Sequence, residues 1–163
     1  MVSQLLPAIK KYLTERCAHL NLESPEPGAD GKPVVRPPRV FIGDFPAKRE
    51  AGKDAREVPC ILLTPVGGYV EGGEAYVDIA AILMVYNPEQ GDGEGMEMDL
   101  AVLLNAVCGA LRRCLELPLE QRFRLERDEK DRIYRWQRSG EPNTPRPYVQ
   151  LTILSRWMMP GWE

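Results

Sequence analysis

The sequence predicts an α+β domain, with a largely antiparallel or mixed β-sheet and two main helices packed on one side of it. Three observations predict it. Two segments carry apolar residues at helical spacing, several runs of strand length are β-branched and apolar, and the elements follow in the order α, short β, β, β, α, β, β, β. The 163 residues, 44% of them hydrophobic, suffice for one core, so residues 1–163 read as a single domain.

The first helix spans residues 2–20. Val2, Leu5, Leu6, Ile9, Tyr12, Leu13, Cys17 and Leu20 recur near a 3.6-residue period, with Lys10, Lys11, Glu15 and Arg16 on the other side. Pro7 lies in the first turns, where a missing N–H does least harm. Residues 23–38, ESPEPGADGKPVVRPP, hold five prolines and two glycines and read as an exposed, mobile loop. A short strand at 39–42 precedes a second long loop, residues 43–57, charged and punctuated by glycine.

Strands are expected at 58–66, VPCILLTPV, and 74–87, EAYVDIAAILMVYN, with GGYVEGG as their hairpin-type connection. The near-continuous apolar run after Asp78 suits a strand covered on both faces. A second helix follows at 96–117, its apolar face built from Met96, Leu100, Leu103, Leu104, Val107, Cys108, Leu111 and Leu115, and Pro118 stops it. Residues 122–126 and 132–138 read as a hairpin around RDEKD. The closing strand, 148–159, turns Val149, Leu151 and Ile153 one way and Gln150, Thr152 and Arg156 the other.

Candidate chemistry is thin. The net charge of −3 argues against general nucleic-acid binding, no apolar run is long enough to span a bilayer, and the first residues do not read as a secretory signal. Cys17, Cys60, Cys108 and Cys114 show no metal-ligand spacing and read as reduced thiols. His19, the single histidine, ends the first helix, where capping or exposure is expected. The acidic stretch 87–99, NPEQGDGEGMEMD, does not match a calcium loop. Its carboxylates suit the positive end of the following helix dipole. GGYVEGG lacks the lysine and hydroxyl residue of a phosphate-binding loop. No cofactor, metal site or catalytic residue is expected.

Two regions suggest contacts instead. The 122–138 segment interleaves Arg122, Arg124, Arg132 and Arg135 with Phe123, Tyr134 and Trp136, and its acids largely cancel the field. It suits a solvated face or a subunit contact of complementary charge, and any DNA contact would be a lining rather than a sequence reader. The C-terminus ends on Trp157, Met158, Met159 and Trp162, which either seal the core or meet a partner. Pro160 and Gly161 end the strand first, which favours a partner.

The helix VSQLLPAIKKYL, the strands PCILLTP and DIAAILMVYNP, the acidic break into MDLAVLLNAVCGALRRCL and the closing PYVQLTILSRW resemble the tail terminator (tail completion) proteins of long-tailed bacteriophages and prophages. The likeness covers most of the chain and rests on element order and local texture. It implies a structural, non-enzymatic subunit that closes into a ring, commonly hexameric, on the tail tube. That ring stops tube polymerisation, presents the surface for the head–tail connector protein, and has a lumen through which DNA passes. It implies location in the virion tail and, during assembly, in the host cytoplasm. Other neck or minor tail components, or a host ligand-binding module, are the alternatives.

Overall fold

The computed structural model describes residues 2–43, 57–87, 93–139 and 148–160. Helix α1 is Val2–Arg16 and α2 is Glu94–Arg113; the strands are β1 Leu22–Pro27, β2 Pro33–Arg36, β3 Arg39–Ile42, β4 Cys60–Glu71, β5 Glu74–Tyr86, β6 Arg124–Glu126, β7 Tyr134–Ser139 and β8 Tyr148–Met159. The fold is α+β, as the sequence predicts. Strands run in the order β3-β4-β5-β8, and β6 and β7 both pair with the far edge of β8. Among the described strand pairs of this sheet, only β3–β4 is parallel. No described helix is long and apolar enough to cross a membrane.

Both helices dock on one side of this sheet. Leu5, Ile9 and Leu13 of α1 and Leu103 and Val107 of α2 pack against Ile61, Leu63, Ile79, Leu83, Ile153 and Trp157. These strand residues keep a period of two, which puts them on a single face. Tyr12 Oη donates to the Ala110 carbonyl oxygen at 2.6 Å, tying one helix to the other. The reverse face carries a smaller apolar cluster, Val58, Cys60, Leu62 and Met84, at the start of β4 and the end of β5. Coverage of β5 on both faces is therefore confined to its second half.

Three segments depart from the sequence reading. Residues 23–38 form the β1–β2 hairpin rather than a mobile loop. Prolines sit at its ends, and two polar anchors hold it. Ser24 is fully buried and donates to the Val34 carbonyl at 2.6 Å, while the Arg36 guanidinium donates to the carbonyls of Glu57, Val58 and Pro59 at 3.0, 2.8 and 3.1 Å. Such anchors are side-chain chemistry that composition does not reveal. Residues 44–56 of the second expected loop lie outside the described residues.

GGYVEGG is mostly strand. β4 continues through Gly67–Glu71, and the turn is only Gly72–Gly73, both at positive φ (61° and 80°). Positive φ at both central residues gives a hairpin turn whose twist matches the strands. A β-bulge at Val66 follows Pro65, which has no N–H for the ladder. Gly68 has a separate reason: a Cβ there would strike the Tyr76 carbonyl oxygen.

The expected 122–138 hairpin is two collinear pieces instead. Arg124–Glu126 pair with Met158–Arg156 and Tyr134–Ser139 pair with Ser155–Gln150, all antiparallel to β8. Residues 127–133 are thus an excursion from one edge strand. Asp128 holds it by accepting from the Lys130 and Arg132 N–H groups at 2.9 and 3.0 Å and from Arg132 Nε at 2.8 Å. The first helix stops at Arg16, so His19 is exposed in the turn beyond it.

Candidate interaction surface

The face of the sheet away from the helices is polar where β5 meets β8. Asp78 and Arg156 are register partners, so their side chains leave the sheet on the same side. Arg156 Nε donates to Asp78 at 2.9 Å, and Nη2 donates to Glu129 of the excursion at 3.0 Å. The guanidinium also lies 5.6 Å from the Tyr69 ring centroid, and that ring stacks on Tyr76 at 4.8 Å. Two carboxylates on one guanidinium hold the Arg156 pKa well above its usual value. Tyr76 Oη donates to Glu74 at 2.8 Å; this bond, with burial second, pushes the phenol up to about 12.

A cleft of about 390 Å³ borders this array, lined by Asp78, Glu126, Asp128, Arg132, Arg135 and Arg156 among others. Its best-held charges neutralise each other: Arg156 with Asp78 and Glu129, Arg132 with Asp128. Paired charges fix geometry rather than supply a nucleophile or base. The thiols are equally inert, because burial pushes Cys17 up to about 11 and Cys60 to about 12. Among the described residues, no group of three His, Cys, Asp or Glu side chains could hold a metal ion. From the acidic stretch, Glu97 pairs with Arg138, and Asp99 accepts the Glu23 N–H at 3.1 Å; residues 88–92 lie outside the described residues.

The structure divides the expected contact residues. Trp157 and Met159 are fully buried in the subunit's own core, so the sequence reading that favoured a partner is corrected for these two. Their alternation places them on the helix side of β8, and Trp157 Nε1 donates to buried Ser155 Oγ at 2.9 Å. Met158 is half-buried on the other face, and Trp162 lies outside the described residues. Arg122 covers Phe123 at 4.5 Å and donates to Gln4 at 2.8 Å, which gives it an intramolecular role. Arg124 and Arg135 are exposed on the edge pieces β6 and β7, and Arg132 is held by Asp128. Trp136, on β7, keeps 55% of its surface in solvent.

One region escaped the sequence reading. At the end of the β4–β5 hairpin, Val66, Tyr69 and Val70 are 56%, 45% and 56% exposed. Beside them an apolar groove of about 460 Å³ runs between Val2, Gly68, Val70, Ala75, Val77 and Met159. The available signal was the two-residue EGGEA turn, which makes GGYVE a strand extension with a valine and a tyrosine left beyond the core.

No protein-family model matches the chain, and no curated protein matches it significantly in sequence. The reading of its function therefore rests on the residues themselves.

Proposed function

We propose that the chain is a structural virion assembly subunit of the tail-terminator type, which closes into a ring on the tail tube, ends its growth and presents the surface that joins the head. One observation carries the reading. The sheet bears two different exposed apolar features on its helix side, Val70 at the hairpin end beside the apolar groove and Trp136 on the outermost strand, while Tyr69 stacks on Tyr76 on the other face. Each adjoins a strand edge with no partner among the described residues: β4 beyond Leu63, and the outer side of β7. A head-to-tail ring needs two unlike patches on every subunit, whereas a dimer about a two-fold axis needs only one. Unpaired edges with exposed apolar residues are hazards in a free monomer and assets in an assembly.

The competing reading, a ligand-binding module, would use the cleft at Arg156. The best-held charges of that cleft pair with one another, Arg156 with Asp78 and Glu129 and Arg132 with Asp128, which favours assembly. The test is sedimentation velocity of the purified protein from micromolar to millimolar concentration, with electron microscopy of any large species. Closed rings of one size are expected. A monomer at every concentration overturns the reading.

A further inference from the structure

We infer that the ring contact is one specific joint: Trp136 of one copy seats in the groove beside Val2 and Val70 of the next, over the floor formed by Ala75 and Val77. The inference rests on the assembly reading and names the surfaces that reading leaves open. Four features of the molecule support this pairing over others.

Both halves lie on the same side of the sheet. Trp136 is the register partner of Ile153, and Val70 of Ala75; Ile153 and Ala75 both belong to the core beneath the helices. A neighbouring copy therefore reaches the groove by a rotation within a ring, without being turned over. The shapes are complementary, since a large exposed indole meets a concave apolar groove of about 460 Å³. Trp anchors filling apolar pockets are the usual centres of binding energy in protein interfaces.

The charges flanking each half are opposite. Exposed Arg135 precedes Trp136 and exposed Glu71 follows Val70, and each points to the reverse face from its apolar neighbour, so the two opposite charges share one face beside the joint. Like charges would meet if two hairpin ends or two β7 edges came together, so self-pairing of either patch is disfavoured and the head-to-tail arrangement is selected. Finally, both halves adjoin strand edges that have no partner among the described residues, so a strand-to-strand contact beside the indole is compatible with the described sheet. The occupant is thus a second copy of this chain.

The test uses two surface variants, Trp136→Ala and Val70→Lys, each at an exposed position. Thermal melting checks that both stay folded. Each alone should raise the concentration for half-assembly by about thirtyfold or more, the loss expected for an interface anchor. Mixed in equal amounts, they retain one intact knob and one intact groove between them, so they should form a heterodimer and stop there. A charge exchange within one chain, Arg135→Glu with Glu71→Lys, should recover assembly that either change alone weakens. If the wild type forms rings but both single variants still assemble, or their mixture stays monomeric, this joint is wrong while the assembly reading survives. If the wild type never associates, the assembly reading itself fails, and the joint with it.

Discussion

Trp157 and Trp136 stand on neighbouring strands and project from the same side of one sheet, yet the first has no exposed surface and the second keeps 55% of its own. Composition and strand propensity do not separate them. What separates them is coverage. Trp157 lies opposite Val77 of β5 and Leu125 of β6, in the layer beneath the helices, with a buried serine to accept its N–H. Trp136 lies on the outermost strand between Tyr134 and Arg138, which reach α2 at Cys108 and Glu97, yet α2 leaves more than half of the indole in solvent. An aromatic residue on a strand thus reports a packed face only when a layer above it covers that position.

The comparison breaks most readily at Trp157. Trp157→Ala removes the largest fully buried side chain and is expected to lower unfolding free energy by roughly 3–5 kcal/mol in urea denaturation. Any fall in assembly should track the unfolded fraction. A folded, equally stable variant with weakened assembly would put Trp157 at an interface and overturn its assignment to the core.

Gly68 tests the hairpin end, where exposure needs an intact, flat strand. Gly68→Val drives a side chain toward the Tyr76 carbonyl and is expected to cost about 1–3 kcal/mol, as overpacking does. Amide hydrogen exchange should rise first at residues 67–75, because that end has few buried contacts. Unchanged exchange there would mean that the close approach at Gly68 is easily relieved.

Trp136→Ala is the counterpart of the first variant. Fold stability should stay within about 0.5 kcal/mol of wild type, since a surface residue far from caps and buried networks contributes little. A melting transition lowered as much as that of Trp157→Ala would erase the distinction between the two tryptophans.

How much of this was legible in the sequence follows the same line. The helices were legible because their apolar residues repeat over four or five turns, β8 because its residues alternate, and β5 because it is a long β-branched and apolar run. The fold class followed from the order of those four elements. The β1–β2 hairpin was not legible, because a Pro/Gly-rich composition hides the Ser24 and Arg36 anchors that order it. Nor was the collinearity of β6 and β7: a polar turn between two short strands signals a hairpin equally well, and only the shared partner β8 distinguishes the cases. Of the expected contact residues, Trp136 emerged exposed while Trp157 and Met159 entered the core. Strand alternation already put both on the side of Leu151 and Ile153, the stronger signal than the Pro-Gly that follows.

The smallest expected effect separates the two faces of the sheet by pH. The helix side is apolar, so the loss from Trp157→Ala should be nearly independent of pH. The opposite side carries Glu129, whose pKa is lowered, first by its own backbone N–H and next by the Arg156 guanidinium, against burial and the nearby Asp128. A carboxylate lowered in the folded state adds stability that is fully present above its unfolded pKa of about 4.3 and is lost as pH falls through the folded value. Glu129→Gln removes that contribution, and the exposure of Glu129 keeps the effect small at neutral pH. The denaturation midpoint of the variant should therefore sit slightly below wild type at neutral pH and converge on it as the pH falls below the unfolded value and through the lowered folded one, while Asp128, left intact, supplies the same acid dependence to both. A gap that stays constant across this range would mean that Glu129 matters through packing of the excursion over the sheet rather than through its charge on Arg156.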